Sequence, residues 1–196
     1  MNGSKLRLEL FSDAIFAIII TIAVLEIPLP TSSSYTEFFK SILIFALSFF
    51  IIASYWNDHR RLFEHIKRVS EPLVFYNVCF IFNISLIPIF TKWAIERRDS
   101  SMPIVLFGVL VLFINFSFGR LTATGLKLSE MKKNILKKYS KFFYLREFIT
   151  YIFFSIIILV SYFHPNVGLG LFIGMPIMNF IVSAYGRKDG FDKVTK

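Results

Sequence analysis

Two carboxylates and one hydroxyl mark an otherwise apolar stretch: Asp13 stands at one end, Glu26 at the other, and Thr21 is the only polar residue between them. An ionised side chain at the centre of a bilayer costs on the order of 3 kcal/mol by insertion scales, so each needs a partner, an aqueous path or an interfacial depth. At about 100° per residue, Phe11, Ile18, Ile22, Leu25 and Leu29 fall on one narrow helical face and Asp13 points nearly opposite. Asp13 is therefore expected to turn into the chain's own packing, compensated by Arg7 or by a group on another helix. The stretch Tyr55-Trp56-Asn57-Asp58-His59-Arg60-Arg61 supplies candidates. Either Asp13 and Ser12 join Trp56, His59 and Arg7 in one hydrogen-bonded cluster, or these are separate interfacial residues, a depth that Trp prefers in any case.

Other chemistries find little support. No serine lies in a G-x-S-x-G turn, no H-E-x-x-H is present, and no paired aspartates occupy opposed spans, so a hydrolase is not indicated. The three histidines, His59, His65 and His164, do not cluster as metal ligands, since topology puts the last on the opposite side of the membrane. A proton-coupled or ion-coupled secondary transporter is the stronger rival. Asp13 and Glu26 could carry protons, yet transporters place their ionisable site near mid-membrane on broken helices in repeated halves, and the middle of this segment is isoleucine.

The elements that must position these residues follow from composition. Of 196 residues, 55% are hydrophobic, 25 are Phe and only 18% are charged, too few to cover a water-facing surface. The single Cys79 excludes a disulfide scaffold. A spanning helix needs about 20 apolar residues. Six segments qualify: Ala14 to Leu29, Phe38 to Trp56, Leu73 to Trp93, Pro103 to Leu121, Phe143 to Phe163 and Val167 to Tyr185. Uninterrupted runs such as Tyr151 to Val160 lack the alternation of a barrel strand. The fold class is thus all-α: a polytopic membrane protein forming a single domain over residues 1–196.

Lys and Arg accumulate on the cytoplasmic side of membranes. With six spans, one side holds 18 basic residues: Lys5 and Arg7; Arg60, Arg61, Lys67 and Arg68; Arg120, Lys127, Lys132, Lys133, Lys137, Lys138, Lys141 and Arg146; Arg187, Lys188, Lys193 and Lys196. The other holds four, Lys40, Lys92, Arg97 and Arg98. Both termini are expected to be cytoplasmic, and a five-span or seven-span count spoils the asymmetry. Glu9 and Asp13, with no small-x-small site before Pro28 and Pro30, argue against a cleaved leader.

The net charge of +9 is read as topology, not as nucleic-acid affinity. The basic stretch from Leu126 to Arg146 is expected to lie on anionic lipid. Pro28 and Pro30 are expected to end the first helix, Pro165 to mark a tight turn, and Pro88 and Pro176 to kink their spans. Asn77, Asn83, Ser85, Asn115, Ser117, Asn179 and Ser183 are candidates for interhelical hydrogen bonds, and Gly168, Gly170 and Gly174 for close helix approach.

Arg7-x-x-x-Phe11-Ser12-Asp13, followed by an Ile-rich helix, resembles the signature of the transmembrane protein 175 family, the lysosomal potassium channels and their prokaryotic relatives. The likeness extends to six spans, a Trp and a His closing the second span, and the single-repeat length of the prokaryotic branch. It implies a homotetramer in a prokaryotic cell membrane, with potassium as the permeant ion, no cofactor, and a central pore lined by first helices. It implies a constriction at Ile18, five residues after the motif Asp, followed by Ile22 and Leu25. The sequence has no T-V-G-Y-G filter. A ring of isoleucines would make ions shed water without offering carbonyls in return, giving modest selectivity for the more weakly hydrated potassium. Thr21 could offer a hydroxyl to potassium beyond the Ile18 ring or bond back to a carbonyl one turn earlier. Glu26 is either a solvated interfacial group or part of a pore mouth.

Overall fold

The computed structural model describes residues 3–25, 27, 35–129 and 133–185, without the side chains of residues 133–143, 146, 179–180 and 182–185. The described residues form seven helices: α1 Gly3–Leu25, α2 Thr36–His65, α3 Glu71–Ser85, α4 Ile87–Glu96, α5 Ser101–Lys127, α6 Lys133–Phe163 and α7 Pro165–Tyr185. Among the described residues, four stretches are long and apolar enough to cross a membrane: α1, α2, α3 with α4 taken together, and α5. Glu147–Phe163 and Pro165–Met178 are shorter apolar helices.

Several helices outrun the apolar windows that predict them. α1 begins at Gly3 and not near Ala14, so the Arg7–Asp13 motif lies within the helix instead of leading into it. Hydropathy marks only the part suited to hydrocarbon, whereas the preceding turns are built from good helix formers, with Lys5 Nζ paired to Glu9 at 3.4 Å one turn on. For the same reason α2 runs on to His65, where Arg60 pairs with Glu64. The basic segment expected to lie on lipid enters α6, which is continuous from Lys133.

The third span is broken. α3 starts on Ser70, whose side chain accepts from the Leu73 amide at 3.4 Å, and ends at Ser85; α4 begins at Ile87 with Pro88 in its first turn. Pro88 cannot donate to a carbonyl one turn back, so the ladder lapses at Leu86. Pro176, by contrast, lies inside a continuous α7. Pro28 and Pro30 are outside the described residues; the helix ends before them at Leu25. α6 and α7 are joined through His164 alone, whose carbonyl accepts from the Val167 and Gly168 amides.

α5 is the central element, packed against α3, α4, α6 and α7, whereas α1 rests on α2 and α3. Gly168 permits the α6–α7 approach, since a Cβ there would come within 2.9 Å of the Ser161 Cα, a backbone atom that cannot swing aside. Gly170 and Gly174 have open space where a Cβ would stand, so the close approach expected of them is not made among the described residues. The glycines that do admit neighbours include Gly108 against Phe172 and Gly125 against Ile66 on α5, whose spacing falls outside any small-residue repeat.

Candidate functional site

α1 divides lengthwise. Leu8, Ser12, Phe16 and Ile19 are buried against α2 and α3, a stripe at helical spacing. On the other side Phe11, Ile18, Ile22 and Leu25 are exposed, the last three by 52%, 54% and 81%. Leu10, Asp13, Ala14, Ala17, Thr21 and Val24 are exposed too, so the uncovered side takes in about half the circumference of the helix. The Ile18-Ile22-Leu25 stripe occupies one edge of that half.

The buried stripe is anchored by a polar chain through three helices. Ser12 Oγ donates to the Leu8 carbonyl at 2.8 Å and accepts from Asn77 Nδ2 at 2.9 Å. This fixes the amide so that Asn77 Oδ1 faces His59 Nε2 at 2.8 Å, and the histidine must therefore carry its proton on Nε2 to donate. Ser12, Asn77 and His59 are all almost fully buried. His59 is enclosed by Phe63 stacked at 4.4 Å, Phe80 stacked at 5.9 Å and Phe16 tilted at 5.8 Å between ring centroids. A polar link inside an aromatic box has no water to fall back on, so its geometry is tightly specified.

The cluster expected from sequence is thus two separate arms. Trp56 Nε1 donates to Asp13 Oδ1 at 2.9 Å, tying α1 to α2, but Asp13 is exposed and does not point into the chain's own packing. Its position on the wheel, nearly opposite Phe11 and Ile18, is the far edge of the uncovered half; the buried direction belongs to its neighbour Ser12. Arg7 is exposed and makes no ion pair among the described residues, Glu9 being taken by Lys5. Thr21 Oγ1 donates to the Ile18 carbonyl at 2.9 Å, so its proton is used within the helix. Glu26 lies outside the described residues.

Sequence reasoning left Asn77 out of the cluster, treating it with the other amides of the spans. The available signal was an amide placed by topology at the depth of Ser12. Because the exposed arm needs only an acceptor on α1, Asp13→Asn should retain most of its stability, whereas Asp13→Ala should lose about 0.5–1 kcal/mol. Thermal unfolding of the two variants in detergent checks this; equal melting temperatures would remove the Trp56 bond from the forces that hold α1.

The family model described as Endosomal/lysosomal potassium channel TMEM175 matches residues 7–88, the stretch from the motif through the amide-bearing helix to Pro88. A Chryseobacterium protein named a potassium channel is 32% identical over 176 residues, covering 86% of this chain and 88% of that one. A mouse protein named an endosomal/lysosomal proton channel is 29% identical over 119 residues, covering 57% of this chain but only 24% of its own length. Among solved structures, that of a lysosomal potassium-selective channel TMEM175 homolog from Chamaesiphon minutus matches in fold, with a TM-score of 0.73 at 21% identity, covering 94% of this chain and 100% of the other. With a relative this similar over nearly the full length of both chains, and with the motif seated on a buried interhelical anchor, the protein belongs to the TMEM175 family of ion channels.

Proposed function

We propose that four copies of this chain assemble around a common axis as a potassium-permeable, modestly selective cation channel, with Ile18, Ile22 and Leu25 of each α1 forming successive apolar constrictions. The observation that carries the reading is the division of α1: its polar and aromatic side is fixed to α2 and α3, while three large aliphatic side chains stand clear of the chain's own packing. One such helix cannot enclose a path, so several copies must meet. The names of the bacterial relatives support potassium as the ion.

At the Ile18 ring a cation loses part of its hydration shell and receives no carbonyl in exchange. Potassium, larger and more weakly hydrated than sodium, gives up less, which sets a real but limited preference. The uncovered half of α1 is wider than the constriction stripe, and its remaining edge, with Ala17 and Val24, is available to a neighbouring copy. The same reading has six spans, the last two formed by α6 and α7, with both termini cytoplasmic in a prokaryotic cell membrane and the whole of residues 1–196 acting as one domain.

Potassium-loaded proteoliposomes diluted into sodium buffer test the function. A passive pore acidifies the lumen only when a proton ionophore is added to balance the charge, with valinomycin marking the full potassium-driven signal. Acidification without the ionophore would identify coupled exchange or proton conduction and overturn the reading. The proton control matters because mammalian relatives carry the name proton channel.

A further inference from the structure

A second polar group lies away from α1, where α3, α5 and α6 meet. Arg120 of α5 is exposed and lays its guanidinium over the Tyr76 ring, 5.3 Å from the centroid, with Nη2 donating to Tyr76 Oη at 3.2 Å. Tyr144 and Tyr151 of α6 also act on its charge, and among the described residues no carboxylate forms an ion pair with it. Glu147 is close to this group but buried, and it accepts from Tyr151 Oη at 2.8 Å. Gly119 leaves the room for this, since a Cβ there would stand 3.1 Å from the Tyr151 hydroxyl. The cation is thus held by aromatic stacking and one hydrogen bond while the side chain stays exposed.

From Tyr151 a shallow, open apolar groove runs along the exposed surface of α6, lined by Phe148, Tyr151, Ile152, Ser155, Ile156 and Leu159, all of that one helix. These residues repeat at helical spacing, and the groove leads from the end of α5 that carries Arg120 and Lys127 into the apolar part of the span. An exposed cation at interfacial depth, with an open apolar helix face leading from it toward the hydrocarbon, is complementary to one molecule with an anionic head and a hydrocarbon tail. We propose that Arg120, Tyr76 and this face of α6 form a binding site for an anionic phospholipid, the phosphate on the Arg120 fork and one acyl chain along the groove. Arginine suits the head because its planar fork matches two phosphate oxygens.

Native mass spectrometry of the detergent-solubilised full chain, titrated with phosphatidylglycerol or phosphatidylcholine of the same acyl chains, tests the site. The expected result is a preference for phosphatidylglycerol of about fivefold, lost in Arg120→Gln and kept in Lys127→Gln. Ile156→Trp, which fills the groove and leaves every charge in place, should lose it too, and should Arg120→Gln fail to fold it carries the same test. Glycerol phosphate, having no tail, should not displace the lipid. Unchanged adducts in both Arg120→Gln and Ile156→Trp would overturn the proposal, and displacement by glycerol phosphate would replace it with a site for free phosphate.

Discussion

On the proposed pore, replacing Ile18 by alanine or asparagine is expected to raise single-channel conductance and lower the potassium to sodium permeability ratio. Isoleucine at this position is exposed on α1 and branched at Cβ, so it has few rotamers with which to open a path. Alanine removes three carbons from each copy around the proposed axis; asparagine shortens the obstruction and adds an amide that can take the place of a lost water. Both changes lower the dehydration cost, and a reduction of ~1.4 kcal/mol in the rate-limiting barrier corresponds to roughly tenfold in current. Sodium should gain more than potassium, because it is the ion that the proposed apolar ring would penalise more. Recordings of wild type and variants in planar bilayers under bi-ionic conditions provide the measurement. If neither conductance nor the permeability ratio moves, Ile18 is not at the constriction and the exposed edge of α1 faces something other than the ion path.

The second large effect is expected from Asn77→Leu. The amide makes two buried hydrogen bonds, and leucine of similar volume makes neither. Ser12 keeps its bond to the Leu8 carbonyl, but His59 is left with an unpaired N–H among Phe16, Phe63 and Phe80. An orphaned buried donor costs about 1–3 kcal/mol, whereas hydrogen bonds measured between membrane helices average about 0.6 kcal/mol, and the dry aromatic box places this site toward the upper figure. Asn77→Leu should therefore melt several degrees below wild type and lose channel activity along with its grip on α1. The double variant His59→Phe/Asn77→Leu, which removes the orphan, should recover part of the stability. Thermal unfolding monitored by size-exclusion chromatography separates the outcomes: an Asn77→Leu protein as stable as wild type would mean that packing alone holds α1.

The membrane class and the special standing of the first helix were legible because both depend on local chemistry. Uninterrupted apolar runs record hydrocarbon depth, and Phe11-Ser12-Asp13 sits where a polar anchor must be explained. What could not be read was which of two adjacent polar residues faces inward. Ser12 and Asp13 differ by about 100° on the helix, and the choice depends on where α3 presents Asn77, a tertiary fact. Angles measured from the exposed stripe alone assign Asp13 to the interior, although a helix resting chiefly on α2 and α3 leaves half of its circumference uncovered among the described residues. Glycines failed as a guide for a related reason. Gly168 and Gly170 look alike in sequence, and only the position of Ser161 makes the first indispensable.

The interruption at Leu86 has a mechanical consequence. Below it, α3 carries Asn77 and packs against α1 and α5; above it, α4 packs against α2 and α5. At the joint Pro88 offers no N–H to the ladder, while the Leu86 amide still donates to the Asn83 carbonyl and the Phe90 amide to the Leu86 carbonyl. The weakened ladder thus falls between the amide that fixes the Ser12 end of α1 and the α4 segment beside its other end, so the two ends of α1 rest on separately built halves of one span.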